Sequence, residues 1–135
     1  MRRVFILATL LLASCKSQPV RLADELDRSS SWLAAIAEIG NRTSDNSTPV
    51  RYARDAIEDA TAELDKASTS LSGISIAPDI AREGQRLIVA STAHLDVLRA
   101  DLEANATDMH GTLAWLRAAA DTLSDLGERA RDMKQ

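Results

Sequence analysis

"LRADLEANATDMHGTLAWL", residues 98–116, holds two signals that point to different folds. Leu98, Leu102, Asn105, Met109, Thr112 and Leu116 keep a 4-3-4-3-4 spacing, the period of an apolar stripe on an unbroken α-helix. The stripe continues through Ala119, Leu123, Leu126, Ala130 and Met133. Read literally, residues 79–133 form one helix of roughly 80 Å at about 1.5 Å per residue. Within the same stretch, Asn105-Ala106-Thr107-Asp108 carries the residue types that end one helix and cap the next. A break there yields helices of similar length, as an up-down-up-down bundle requires. Without it, half of a long helix exposes its stripe unless an oligomer covers it. The break is the favoured reading. It predicts an all-α, up-down helical bundle of four helices over residues 20–135; the alternative is three helices with one long C-terminal helix.

The flanking sequence supports helices throughout. Val50, Ala53, Ile57, Ala60, Leu64, Ala67 and Leu71 form the clearest amphipathic pattern. Thr48-Pro49 ahead of it predicts an N-cap and a proline in the first turn, and Ser72-Gly73 a stop. Ile74 to Ala77 reads as a connection, and Pro78-Asp79 opens the next helix, with Ile80, Gly84, Leu87, Ile88, Ser91 and Leu95 on its inner face. Upstream, Leu22, Leu26, Ser29, Leu33, Ile36 and Gly40 predict a helix over 20–40, ended by Gly40-Asn41 and followed by a loop from Asn41 to Thr48. Ser29-Ser30-Ser31 offers a competing start, capping a shorter helix from Trp32. Aromatic residues are 3% and hydrophobic residues 45% of the 135-residue chain, with only 5 Gly and 3 Pro, so the core is aliphatic and alanine-rich. Seams of Ala, Ser and Gly predict close helix packing around a thin core.

The first residues follow a different plan. Met1-Arg2-Arg3 is basic, Val4 to Ala13 is apolar apart from Thr9, and small residues lead to Cys15, the one cysteine. These are the three parts of a secretory signal peptide. The apolar run is about half the roughly 20 residues a spanning helix needs. Leu12-Ala13-Ser14-Cys15 resembles the lipobox of bacterial membrane lipoproteins. That resemblance implies cleavage after residue 14, lipidation of Cys15 and attachment to the membrane through the lipid. It names a processing route and no functional family. Residues 1–14 are then signal peptide, and 15–19 the lipidated cysteine with a short linker. In Gram-negative members, aspartate after the cysteine typically retains the protein at the inner membrane. Lys16 departs from this, which points to the bacterial cell envelope at the outer membrane, facing the periplasm. Two or three acyl chains, at ~0.8 kcal/mol per buried CH₂, hold such a protein firmly. The linker reaches no more than ~3.3–3.6 Å per residue, so the folded part stays close to the bilayer.

Little in the sequence points to chemistry. Removing residues 1–14 takes away Arg2 and Arg3 and leaves 14 basic residues against 20 acidic, a net charge of −6. There is no clustered Lys/Arg for nucleic acid. Charges fall in i,i+4 pairs such as Asp24/Arg28, Arg51/Asp55, Arg54/Glu58, Arg99/Glu103 and Asp125/Arg129, the pattern of a solvated helix surface. His94 and His110 lack the Glu-x-x-His spacing of di-iron bundles, and a lone cysteine rules out Cys-x-x-Cys-His haem attachment. His94, Met109 and His110 could converge on a metal only if the third and fourth helices fold back level, and the sequence spacing disfavours that. No metal or cofactor site is therefore assigned. No Gly-x-Ser-x-Gly elbow or phosphate loop occurs, and Asp55, Asp59 and Glu63 read as surface charge, so no catalytic residue is assigned. Trp32, Tyr52 and Trp115 are candidate interface anchors, with core or edge packing the simpler role for each. The expectation is a non-enzymatic, lipid-anchored accessory protein that binds an envelope partner or associates with itself. A small-ligand or metal carrier built on a helical bundle is the alternative.

Overall fold

Asn105 breaks the 98–116 stretch. A computed structural model describes residues 17–106 and 108–133, which form α1 (Gln18–Ser44), α2 (Val50–Ser72), α3 (Pro78–Glu103) and α4 (His110–Asp132), with no strand among them. Asn105 lies at φ 52°, in the left-handed region that asparagine enters more readily than most residues. Its N–H donates to the Leu102 carbonyl (3.3 Å), and the Ala106 N–H donates to the Asp101 carbonyl (2.9 Å). Together these are the two closing bonds of a Schellman cap. α1 ends in the same way. Asn46 lies at φ 60°, its N–H donates to the Thr43 carbonyl (3.0 Å), and the Ser47 N–H donates to the Arg42 carbonyl (2.9 Å). The Ser47 hydroxyl adds a third bond, also to the Arg42 carbonyl (3.0 Å).

Several expected boundaries move. α1 runs through Gly40-Asn41 to Ser44, so the loop shortens to 45–49. Gly40 has no positive φ. It is buried, and a Cβ there would overlap Leu113 Cδ2 of α4. The glycine is a packing notch and not a stop. Thr48 is not the N-cap of α2: Pro49 takes that place, with no side-chain cap bond. The serine run does not start a new helix. Ser29 is buried on the seam, and the Ser30 hydroxyl donates to the Ala120 carbonyl of α4 at 2.6 Å. α1 also starts two residues early, at Gln18. The Ser72-Gly73 stop, the 74–77 connection and the Pro78 start fall where the sequence places them.

The helices pack in a ring, α1 to α2, α2 to α3, α3 to α4 and α4 back to α1, with the α1–α4 pair the most extensive and α3–α4 the least of the four. The α2 seam from Ala53 to Leu71 is buried, as are Leu116, Ala119, Leu123, Leu126 and Ala130 of α4. Each fully buried leucine on these seams stabilises the fold by about 1.5–3 kcal/mol. Small residues set the spacing: Gly84 of α3 receives Leu26 from α1, and Gly127 of α4 lies under Asp27, whose carboxylate pairs with Arg131. At the end opposite the two asparagine turns, the Gln18 side chain closes the 73–77 connection. Its Oε1 accepts from Ser75 N (3.2 Å), Ser75 Oγ (3.0 Å) and Ile76 N (3.2 Å). No helix of the described residues is long and apolar enough to cross a membrane.

Candidate interaction face

Cys15 and the lipobox-like Leu12-Ala13-Ser14 before it lie outside the described residues. The first described residues after them are Ser17 and Gln18.

The two histidines do separate work. His94 projects from α3 with Nδ1 2.9 Å from the Ala90 carbonyl. A carbonyl can only accept, so Nδ1 carries the hydrogen and Nε2 is left as the open ring nitrogen. The ring stacks flat on Trp115 of α4, with centroids 3.6 Å apart and planes within 4°. Both rings are half-buried. His110 is exposed at the start of α4, where its backbone N–H donates to Asp108 Oδ1 (3.1 Å). Met109 is buried beside that turn. The exposed His110 and the buried Met109 lie at the asparagine turn while His94 stacks on Trp115, and no group of three His, Cys, Asp or Glu side chains that could hold a metal occurs among the described residues. Of the stacked carboxylates, Asp55 and Asp59 are exposed, and Glu63 pairs with Lys66 at 3.1 Å. Trp32 packs half-buried against the core, whereas Tyr52 is 60% exposed.

The surface ion pairs follow the expected pattern in part. Arg99 contacts Glu103 at 3.5 Å, as its i,i+4 spacing predicts, and also bridges to Glu58 of α2 at 2.9 Å. Arg28 turns instead to Glu25 at 3.5 Å. Arg86 grips Glu83 with two bonds, Nε to Oε2 at 3.0 Å and Nη2 to Oε1 at 2.7 Å. The guanidinium hydrogen bonds hold the Glu83 carboxyl below its ordinary range, and the carboxylate raises Arg86 above its own.

The looser α3–α4 pair leaves an open groove of about 250 Å³ between Arg86 and Leu87 on one side and Trp115, Ala118, Ala119 and Thr122 on the other. Its α4 wall is made largely of short side chains, Ala118, Ala119 and Thr122. Next to it, the outer surface of α3 carries an apolar stripe. Val89 is 58% and Val97 50% exposed, and Ala93, Ala100 and Ala104 are exposed beside them. A second groove, of about 290 Å³, lies between the two asparagine turns and is lined by Thr43, Asn46, Leu102, Asn105 and Met109. The sequence reading singled out Trp115 but missed the stripe beside it. The signal was available: Val89, Ala93 and Val97 recur every four residues, off the inner seam of α3. Nothing in the sequence marked Gln18 as a clamp. No family model, curated protein or solved structure matches this chain.

Proposed function

We propose that this chain is a lipid-anchored protein of the bacterial cell envelope, at the outer membrane because Lys16 and not aspartate follows the cysteine, and that it works by contact and without catalysis. The contact reading rests on one observation, the exposed apolar surface of α3 running beside the half-buried Trp115. Exposed apolar surface gathered in one place, with an aromatic side chain at its edge, is the composition of a protein-binding surface. The anchor reading is supported by the basic head, the apolar run and Leu12-Ala13-Ser14-Cys15. With α1 starting at Gln18, only Lys16 and Ser17 separate a lipidated Cys15 from the bundle. At ~3.3–3.6 Å per residue, the end that carries Gln18 and the 73–77 connection then sits against the bilayer.

Each half of the proposal has its own test. Mass spectrometry of the N-terminal peptide is expected to show a chain that starts at Cys15 and carries acyl groups, and Cys15→Ala is expected to release the protein from the membrane fraction. A mature chain with an unmodified Cys15 would sink the anchor. For the face, a photoreactive residue placed at Val89 or Ala118 is expected to give discrete adducts in intact cells, and one placed at Asp59 on the charged surface of α2 is not. Adducts that do not distinguish these positions, or a stoichiometric metal or small ligand in the purified native protein, would favour the carrier reading.

A further inference from the structure

α3 carries two apolar faces. The inner one, with Ile80, Ile88, Leu95, Leu98 and Leu102, is buried in the bundle. The outer one runs Val89, Ala93, Val97, Ala100, Ala104, all exposed. Positions four and three residues apart share a helix face, so these side chains form one continuous stripe. The outer surfaces of the other helices are charged by comparison: Asp55, Asp59 and Asp65 on α2, Arg117, Asp121 and Asp125 on α4, Arg28, Glu38 and Arg42 on α1, all exposed.

The charges at the two ends of the stripe say what fits it. Arg82 and Arg86 precede it, and Asp96 and Asp101 lie on its far half, with Glu103 beyond. Arg99 is turned away, towards Glu58 and Glu103. Among the described residues, Arg82, Asp96 and Asp101 have no ion-pair partner, and Arg86 uses only Nε and Nη2 on Glu83, which leaves Nη1. Asp79 and Glu83 share the first end, which is therefore balanced in charge, whereas the far half carries Asp96, Asp101 and Glu103 against Arg99 alone and is net acidic. We infer that the stripe docks on the same stripe of a second copy of this chain, the two α3 helices running antiparallel about Ala93. In that arrangement Val89 of each copy lies opposite Val97 of the other, Arg86 opposite Ala100 and Asp101, and Arg82 opposite Ala104 and Glu103. A two-fold axis makes each of these contacts twice and closes the dimer. A parallel pair would set Arg82 on Arg82 and Arg86 on Arg86, which like-charge repulsion opposes. Alanine at the centre lets the two backbones approach closely. The inference rests on the contact reading and names a second copy as the partner. It does not depend on the anchor.

The full-length chain carrying Cys15→Ser has no native thiol, so an introduced cysteine reports alone. Under mild oxidation, Ala93→Cys is expected to form a disulfide-linked dimer, and a mixture of Val89→Cys and Val97→Cys chains to give the 89–97 product in excess over 89–89 and 97–97. Arg86→Cys by itself should not cross-link, because an antiparallel pair separates the two positions by about 21 Å along the helices. In sedimentation equilibrium, Arg86→Asp is expected to weaken the dimer by about tenfold or more, and adding Asp101→Arg to restore most of that loss. Ala93→Glu should give a monomer with unchanged helical circular dichroism. A folded chain that stays monomeric, an 86–86 disulfide, or a double charge reversal without rescue overturns the inference. Adducts from Val89 in cells that contain only another protein overturn self-pairing and keep the contact reading. A monomer with no adduct from that face overturns both.

Discussion

Ser29 and Ser30 are neighbours with opposite roles. Ser29 is 1% exposed, and its hydroxyl has no hydrogen-bond partner. A buried polar group left unpaired costs about 1–3 kcal/mol. Ser29→Ala is therefore expected to stabilise the bundle by about 1 kcal/mol or more, with a further small gain from the higher helix propensity of alanine. Ser30 donates across to the Ala120 carbonyl of α4. Ser30→Ala removes that bond and is expected to lower stability by about 0.5–1.5 kcal/mol. Denaturant unfolding followed at 222 nm checks both, and midpoint shifts of the same sign would contradict the assignment.

At the scale of elements, the Gln18 clamp predicts a local effect. Gln18→Ala is expected to speed amide exchange at Ser75 and Ile76, whose N–H groups it now holds, and to leave the middle of α2 and α3 protected. Uniformly faster exchange along both helices would mean that the clamp supports the whole bundle. What was legible in the sequence follows from the same local physics. The α2 seam was readable because a regular apolar period and the 72–78 punctuation agree with each other. The end of α1 was misplaced because a glycine on a packed seam is kept for the room it leaves and need not mark a helix end. Gly40 stays helical and makes room for Leu113, while Asn46 supplies the left-handed turn. The same chemistry at Asn105 made the decisive break readable, since asparagine there interrupts a stripe that packing alone would continue. Tertiary partners such as Trp115 for His94, or Ser75 for Gln18, leave no periodic mark in a sequence. The outer α3 stripe does leave one, in the four-residue recurrence of Val89, Ala93 and Val97.

At the scale of the molecule, the α2 seam offers a global test. Leu64 is fully buried, and Glu63 beside it reaches solvent and pairs with Lys66. Leu64→Asp places an unpaired charge in the core, at a cost of about 3–5 kcal/mol, comparable with the lower range of domain stability. Loss of cooperative thermal unfolding is expected for Leu64→Asp, and a change within about 0.5 kcal/mol for Glu63→Ala. Equal losses would mean that the seam is misplaced. The Gln18 side chain also decides how the molecule carries mechanical load. A pull on the chain ahead of Ser17 arrives at α1 and, through Oε1, at the turn joining α2 to α3. The first turn of α1 is tied to that connection by its own side chain. Unravelling that turn also breaks the three hydrogen bonds to one oxygen, so a pull from the N-terminal side is expected to loosen the α2–α3 connection along with the start of α1.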